Sequence, residues 1–294
     1  MENLLRVGMV QLRVEREKQT NLEKTVHFVA NAAHGGAEMV VLPEMFVCPY
    51  ESDVFPWYAE SFTSGPTLRL LAHLAREHHL YLVGGSLPEK TPHALYNSCP
   101  VFDPQGELVA VHRKIHLFDV CLPTMRFEES LVFSPGSSFT LFDTPWGRVG
   151  AMICYDVRFP ELARLYALHG ATIIVAPAAF NHVTGPLHWE LTFRARALDN
   201  QVFMVGVSPA PHPHSQYRAY GHSMVTNPWG QIVQEMGEEE GVTVVELHLE
   251  EIRRVRENLP LLKHRRNDLY AIFRRQDFPL YPSCDTLIDE LEKE

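Results

Sequence analysis

Short apolar runs rich in Val, Ile and Leu alternate with amphipathic helical segments along most of the chain, and this pattern predicts an α/β fold. The pattern occurs twice. Residues 36–46 read GAEMVVLPEMF and residues 170–180 read GATIIVAPAAF, so each is a strand that ends in a Pro and a Phe. Each follows an amphipathic helix and an earlier strand with the sequence Arg-Val-Gly, at residues 6–8 and 148–150. An internal pseudo-duplication is therefore predicted.

The repeat continues through a third strand and a hairpin in each half. Residues 81–86, YLVGGS, correspond to residues 203–208, FMVGVS, and turns of sequence DPQG and NPWG follow. Pro at the second position and Gly at the fourth suit type I turns. Strands of this composition, flanked by helices, favour sheets that helices cover on one face. Two such sheets packed together predict a four-layer α-β-β-α sandwich, with residues 1–275 as one domain and residues 276–294 as a C-terminal arm.

The composition narrows the class of protein. With 294 residues, 46% of them hydrophobic, the chain can bury a large core. Its net charge of −10 argues against nucleic acid or an anionic membrane as the main partner. It has no apolar run near the ~20 residues of a membrane helix and no signal-peptide pattern. Five scattered cysteines without a CxxC pair predict a cytoplasmic protein with neither a disulfide framework nor a zinc site.

Cys154 lies where an apolar strand, residues 148–153, meets a predicted helix. The first amides of a helix favour negative charge, so at such an elbow they would promote a thiolate and could bind an oxyanion. The alternative is a small buried cysteine that only fills space at a strand end.

Two charged residues in similar places are further candidates. Glu44 directly follows an apolar strand, where a carboxylate either caps nearby backbone amides or lies in a dry cleft with a raised pKa. Lys114 follows a hairpin strand and lies among apolar residues, although a single lysine there is commonly a solvated edge charge. Glu44 and Cys154 both occupy carboxyl ends of strands, where open α/β folds form their sites.

Three motifs in order carry a family resemblance: LPEMF at residues 42–46, HRKIHLF at 112–118 and ICYDVRFPE at 153–161. Through them the chain resembles the nitrilase superfamily of carbon–nitrogen hydrolases. The resemblance implies a carbon–nitrogen hydrolase domain over residues 1–275, with the αββα fold and no metal or organic cofactor. It also implies a catalytic triad of Glu44, Lys114 and Cys154, with Glu129 as an additional active-site carboxylate.

The chemistry of amide hydrolysis justifies these residue types. A thiol is a strong nucleophile, and a buried carboxylate such as Glu44 can accept its proton and return it to departing ammonia. Lys114 and the backbone N–H of Tyr155 would stabilise the tetrahedral oxyanion, and losing such a donor costs roughly 10²–10³ in rate. Glu129 would orient Lys114 and the substrate amide. Glu44 would then activate water to hydrolyse a thioester on Cys154.

Within the superfamily the chain is similar to the omega-amidases, through FNHVTGPLHWEL at residues 180–191 and RARALDNQ at 194–201. This similarity implies hydrolysis of the terminal amide of α-ketoglutaramate or α-ketosuccinamate to ammonia and the keto-dicarboxylate. Residues 118–126, FDVCLPTMR, depart from the acidic, Gly-containing stretch usual in omega-amidases and could shift the specificity. A deaminated-glutathione amidase, a nitrilase proper, an N-carbamoyl amino acid hydrolase or a non-catalytic binding protein on this fold remains an alternative.

Three residues are candidates for contact with the substrate beyond its amide. Arg158 lies about one helical turn after Cys154, and its forked guanidinium suits a substrate carboxylate. A salt bridge to Asp156 or Glu161 is the alternative interpretation of Arg158. Phe180 and Thr184 could line the same end of the substrate.

The family resemblance also implies a homodimer or a higher homo-oligomer. The subunits would join through the helices after Cys154 and the C-terminal arm. In this chain, we expect the apolar face formed by Leu162, Leu165 and Leu168 to contribute to that interface.

Overall fold

A computed structural model describes residues 3–122 and 125–272. The first half contains the elements β1 (Leu4–Gln11), α1 (Lys18–His34), β2 (Met39–Val41), α2 (Phe55–Tyr58), α3 (Pro66–Glu77), β3 (Tyr81–Val83), β4 (Leu87–Lys90), β5 (Leu95–Phe102) and β6 (Leu108–Arg113). The second half contains β7 (Asp119–Leu122), β8 (Met125–Glu128), β9 (Thr140–Thr144), β10 (Gly147–Ala151), α4 (Pro160–Leu168), β11 (Ala171–Pro177), α5 (Gly185–Asn200), β12 (Phe203–Val207), β13 (Met224–Thr226), β14 (Ile232–Glu235), β15 (Gly241–His248) and α6 (Glu250–Asn258). Two 3-10 segments, Glu129–Leu131 and Cys154–Arg158, complete the description.

Two mixed sheets form the centre of the molecule. In the first sheet the strand order is β15-β1-β2-β3-β5-β4, with β6 paired to β5. In the second sheet the order is β14-β13-β12-β11-β10-β9. The strands β1, β2 and β3 run parallel, and so do β10, β11 and β12. The first sheet takes its edge strand β15 from the end of the second half, which ties the two halves into one unit.

The alternation of side chains along each strand divides the core into layers. One face of the first sheet contributes Val7, Met9 and Val41 to a cluster that also contains Ile173 and Val175 of the second sheet. The opposite face contributes apolar side chains that pack against α1 and α3, while α4 and α5 pack on β11 and β12 of the second sheet. The predicted four-layer α-β-β-α sandwich is therefore confirmed.

The predicted duplication is visible in the register of the two sheets. Gly8 of β1 pairs with Val40, and Gly150 of β10 pairs with Ile174 at the corresponding place. A Cβ at Gly8 would lie 2.9 Å from the Cβ of Ala32 in α1, and one at Gly150 would lie at the same distance from the ring of a tyrosine in α4. Both glycines allow a helix to approach its sheet closely, which explains why Arg-Val-Gly occurs in both halves.

Both predicted turns form. The N–H of Gly106 donates to the C=O of Asp103 at 2.9 Å, and the N–H of Gly230 donates to the C=O of Asn227 at 2.8 Å. Both glycines have a positive φ, of 79° and 73°, which favours glycine over residues with a Cβ. The C-terminal arm predicted over residues 276–294 lies outside the described residues, so the domain boundary at residue 275 stays a prediction.

Candidate active site

Glu44 lies just beyond the carboxyl end of β2, and its side chain is completely buried. Its Oε1 accepts hydrogen bonds from Asn97 Nδ2 at 2.9 Å, Lys114 Nζ at 3.0 Å and the Tyr50 hydroxyl at 3.2 Å. Its Oε2 accepts from the backbone N–H of Ala179 at 2.8 Å. Of the two interpretations of Glu44, the dry cleft is therefore correct, although the carboxylate also binds one amide from the other half of the fold.

Lys114 is also fully buried, so the solvated edge charge is excluded. Its Nζ lies 3.0 Å from Glu44 Oε1 and 2.8 Å from Glu129 Oε2. Glu129 opens the 3-10 segment after β8, and its Oε2 also accepts from the N–H of Phe118 at 2.7 Å. The structure thus brings the three predicted charged residues into one cluster, with the ammonium of Lys114 between two carboxylates.

The balance of burial and charge sets the ionisation of this cluster. Burial raises the pKa of Glu44, and the charge of Glu129 adds to that effect while Lys114 opposes it. Burial alone would lower the pKa of Lys114, but the carboxylates of Glu129 and Glu44 outweigh it and raise this pKa. The ammonium is therefore permanent, whereas Glu44 is the carboxylate best suited to exchange a proton.

Cys154 follows β10 at a sharp elbow where its φ is +45°, a left-handed conformation that is strained for any residue but glycine. The expected helix does not start at once: a five-residue 3-10 segment comes first, and α4 begins only at Pro160. The elbow is held by Arg196 of α5, which donates to the carbonyls of Val157 and Arg158 at 2.9 and 2.8 Å.

The thiol of Cys154 is buried, and Ala179, whose backbone N–H binds Glu44, lies in the same cleft. Burial raises the pKa of the thiol well above the usual range, the charge of Glu44 adds to this, and Lys114 opposes it. The expectation of a thiolate promoted by helix amides is therefore wrong for the free protein, because the desolvation of the thiol outweighs those amides. The arrangement instead pairs a neutral thiol with a carboxylate that can accept its proton.

A buried ionic cluster joins the Lys114 motif to the Cys154 motif. Asp156 Oδ2 lies 3.0 Å from His112 Nε2 and accepts the N–H of Ile153 at 3.1 Å. Asp156 Oδ1 lies 2.7 Å from His116 Nδ1 and accepts the backbone N–H of His116 at 2.9 Å. Burial would raise the pKa of Asp156, but these histidine contacts hold it well below its usual range. Asp156 thus fixes the elbow against the loop that carries Lys114.

A narrow cleft beside Cys154 has an aromatic wall. It is lined by Phe118, Cys154, Tyr155, Arg158, Ala179, Phe180, Thr184 and Tyr217. The ring of Phe118 meets that of Tyr155 edge to face at 5.2 Å. Tyr217 closes the cleft through its hydroxyl, which donates to the C=O of Ala179 at 2.5 Å. The predicted residues Tyr155, Arg158, Phe180 and Thr184 therefore share one cleft with the nucleophile.

Arg158 does not form either of the salt bridges considered above among the described residues. Its guanidinium lies over the ring of Phe180, 4.3 Å from the centroid, and its Nη1 contacts His188 Nδ1 at 2.9 Å. Both oxygens of Asp156 are already occupied, by His112 and His116 and by two backbone N–H groups. Arg158 Nε is buried without a hydrogen-bond partner in the described part of the chain, and Arg158 is one of the residues that line the cleft.

The substrate-side segments show two further features. The hydroxyl of Thr184 donates to Asn181 Oδ1 at 3.2 Å, which orders the loop after Phe180 but leaves the Thr184 oxygen free to accept. Much of the departure at residues 118–126 lies in the antiparallel strands β7 and β8, and residues 123 and 124 between them lie outside the described residues. Phe127 on β8 packs 5.2 Å from the ring of Tyr50, so this strand pair reaches the edge of the active site.

Sequence reasoning missed four residues of the site: Tyr50, Asn97, Phe118 and Tyr217. Asn97 is a completely buried polar residue within the apolar strand β5, and that placement was the available signal. The other three are aromatic residues in loops, where nothing in the local sequence distinguishes a site wall from ordinary packing.

Among residues 3–122 and 125–272, no group of three or more His, Cys, Asp and Glu side chains is arranged to hold a metal ion. Over the same residues, none of the helices has both the length and the apolar character needed to cross a membrane.

Comparison with known proteins gives consistent matches. The sequence profile described as carbon–nitrogen hydrolase matches residues 6–257. Omega-amidase NIT2-A of Xenopus laevis is 46% identical over 273 residues, which cover 92% of this chain and 99% of that protein. Omega-amidase NIT2 of Homo sapiens is 45% identical over 268 residues, covering 91% and 97%.

A solved structure agrees with the fold. The crystal structure of Saccharomyces cerevisiae Nit3, described as a member of branch 10 of the nitrilase superfamily, superposes with a TM-score of 0.84. The two sequences are 41% identical, and the superposition covers 90% of this chain and 98% of the Nit3 chain. Both the profile and the relatives span the cluster of Glu44, Lys114, Glu129 and Cys154.

Proposed function

The chain belongs to the carbon–nitrogen hydrolase family, and on this premise we propose that it is an omega-amidase. Its substrates are short α-keto dicarboxylate monoamides, α-ketoglutaramate and α-ketosuccinamate, which it hydrolyses to ammonia and the keto-dicarboxylate. The observation that carries the proposal is the cleft that Cys154 and Arg158 line together, with Ala179, whose N–H binds Glu44, in its wall.

In the first half-reaction, Glu44 accepts the thiol proton as the sulfur of Cys154 bonds to the amide carbon. The electron pair of the carbonyl moves to its oxygen, and the tetrahedral oxyanion is stabilised by Lys114 and the backbone N–H of Tyr155. Glu44 returns the proton to the nitrogen as the carbon–nitrogen bond breaks, so ammonia leaves and a thioester remains on Cys154.

In the second half-reaction, Glu44 accepts a proton from water while the water oxygen bonds to the thioester carbon. The same donors stabilise the second oxyanion. The carbon–sulfur bond then breaks, Glu44 returns the proton to the sulfur, and the carboxylic acid product leaves. The raised pKa of Glu44 supports this double use, because a group that both takes and gives a proton works best when its pKa lies near the working pH.

Arg158 supports the choice of substrate. A guanidinium offers planar, paired donors that match a carboxylate, and the free Nε of Arg158 is such a donor. Phe180 holds the guanidinium from one side through a cation–π contact, and Thr184 lines the same end of the cleft. The cleft is also narrow, which suits a short substrate better than a peptide or a nucleic acid.

Steady-state kinetics on a substrate panel tests this proposal. We expect ammonia release from α-ketoglutaramate with a kcat/KM at least tenfold above that for N-carbamoyl amino acids, deaminated glutathione or aliphatic nitriles. Cys154→Ala measured in parallel supplies the background. A preference for deaminated glutathione or an N-carbamoyl amino acid would assign another amidase activity to the same triad. No ammonia from any compound would favour the non-catalytic alternative.

A further inference from the structure

Asn97 lies at the centre of the catalytic cluster but outside the three sequence motifs. Its Nδ2 donates to Glu44 Oε1 at 2.9 Å and to Glu129 Oε1 at 3.0 Å. The two N–H bonds of one amide group therefore reach two different carboxylates. These carboxylates also share the ammonium of Lys114. The side chain has no exposed surface, so water does not compete for these contacts.

The backbone of Asn97 also positions Lys114. The C=O of Asn97 accepts the N–H of Lys114 at 2.8 Å, which extends the β5–β6 ladder one residue past the paired residues Ser98 and Arg113. Asn97 thus contacts Lys114 through its main chain and both carboxylates through its side chain. Asn97 itself lies on a strand inside a sheet, so these contacts are anchored to a rigid element.

The orientation of the Asn97 amide has an electrostatic cause. Its Oδ1 is buried and finds no hydrogen-bond partner among the described residues. A flipped amide would point this oxygen at Glu44 and Glu129, where it would repel both carboxylates and leave the N–H groups unused. An unpaired carbonyl is the smaller cost, so the amide is fixed with both N–H groups on the carboxylates.

We propose that Asn97 is a positioning residue that keeps Glu44 and Glu129 apart around Lys114 and holds Glu44 in its ionised form, aimed at Cys154. This inference rests on one part of the proposed function, namely that Glu44 is the base that accepts the proton of Cys154. It does not depend on which amide is the substrate.

The test is the pH dependence of Cys154 alkylation by iodoacetamide, which needs no substrate. Asn97→Leu keeps much of the side-chain volume and removes both N–H donors. With one of the four donors to its carboxylate removed, Glu44 should ionise at higher pH, so the half-maximal alkylation rate should move up by about one pH unit. The charged and titratable groups facing Glu44 are unchanged by this substitution, namely Lys114, Glu129, Cys154, Tyr50 and Tyr217.

Steady-state turnover gives a second measurement. We expect kcat for the preferred amide to fall about tenfold to a hundredfold, with KM within about twofold of the wild type, because Asn97 does not contact the far end of the cleft. If Asn97→Leu does not fold, Asn97→Ser replaces it, since its hydroxyl is too short to reach both carboxylates and the same shift is expected.

Ser98→Ala is the matched control. Ser98 is the next residue of β5, is equally buried, and donates to Glu89 at 2.7 Å on the opposite face of the strand. The Ser98→Ala variant should keep the wild-type pH profile of Cys154 alkylation. A folded Asn97 variant with the wild-type alkylation profile, or an equal shift in Ser98→Ala, would overturn the proposal. If the wild type hydrolyses none of the α-keto acid amides, the substrate assignment fails while the alkylation test still decides the role of Asn97.

Discussion

His112 and Asp156 meet at 3.0 Å in a place where neither side chain has any exposed surface. His112 lies two residues before Lys114 in the sequence, and Asp156 lies two residues after Cys154. The contact therefore fixes the distance between the motif that supplies the ammonium and the motif that supplies the nucleophile. His116, two residues after Lys114 in the sequence, contacts the same carboxylate.

Removing this buried carboxylate charge should destabilise the fold. We expect Asp156→Asn to lower the free energy of unfolding by about 3 kcal/mol, because a buried pair that loses one partner leaves the other unsatisfied. Urea unfolding followed by circular dichroism measures this. Asp143→Asn removes an exposed partner of Arg148 and should leave the unfolding midpoint unchanged. Equal effects of the two substitutions would contradict the prediction.

The same pair predicts a pH dependence of stability. The folded pKa of Asp156 is held below its unfolded value of about 3.9, so its contribution is complete above that pH and is lost as the pH falls toward the folded value. The stability difference between the wild type and Asp156→Asn should therefore be constant near neutral pH and shrink below about pH 4. A difference that stays constant down to pH 3 would show that folding does not lower the pKa of Asp156.

Cys154→Ala should abolish amide hydrolysis and leave the fold intact, since only the sulfur can form the thioester. In the wild type, a stoichiometric electrophile should leave its adduct on Cys154, as mass spectrometry of peptides can establish. Cys121→Ser is the control, because Cys121 is exposed and is a competing site for alkylation without a role in turnover. An active Cys154→Ala variant, or inactivation that maps to Cys48 or Cys121, would refute the assignment.

Glu44→Gln should separate function from stability. Loss of the base should lower kcat by about 10²–10⁴. The raised pKa of Glu44 means that ionising it in the folded protein costs stability once the pH exceeds its unfolded value. The neutral amide avoids this cost, so thermal unfolding at pH 7 should occur at an equal or higher temperature than in the wild type.

In the wild type, kcat/KM should fall on the acid side as Glu44 becomes protonated. An acid limb that persists unchanged in the residual activity of Glu44→Gln would assign it to another group.

Arg158→Lys should affect charged and uncharged substrates differently. The lysine keeps the charge but loses the planar fork, so kcat/KM for α-ketoglutaramate should fall by the equivalent of about 1.5–3 kcal/mol. Much of the loss should appear in kcat, because the carboxylate contact positions the amide carbon against Cys154. An uncharged amide of similar length is the control and should be nearly unaffected. Equal losses on both substrates, in a folded variant, would make Arg158 a structural residue.

An exposed apolar surface on α5 predicts self-association. Leu187, Leu191 and Trp229 are 69%, 68% and 41% exposed around one groove, whereas Leu162, which we expected in the interface, is buried in the core. Leu191→Arg should convert an oligomer into a 33.6 kDa particle by light scattering. Trp57→Arg, at a still more exposed apolar site on α2, should leave the mass unchanged. A wild type that is already 33.6 kDa at micromolar concentration would contradict this prediction.

The sequence by itself determined the layered fold, and its family resemblance singled out Glu44, Lys114 and Cys154 as the proposed triad. The repeat of Arg-Val-Gly, of the strands that end in Pro and Phe, and of the Pro-Gly turns is local information, since strand period, turn chemistry and close helix packing are encoded within a few residues. The positions of Glu44 and Cys154 at strand ends are local for the same reason. Lys114 and Glu129 required the order of motifs as well, because neither has a distinctive immediate neighbourhood.

Only the tertiary structure decided how the site works. The role of Asn97 depends on two carboxylates that lie 53 and 32 residues away in the sequence. The neutral state of the Cys154 thiol depends on desolvation by both halves of the fold, which outweighs the helix amides that local reasoning favoured. Arg158 was ambiguous for the same reason: its neighbours in sequence are acidic, but His112 and His116 already contact both oxygens of Asp156. Burial and long-range pairing set these energies, and neither is written in any short segment of the chain.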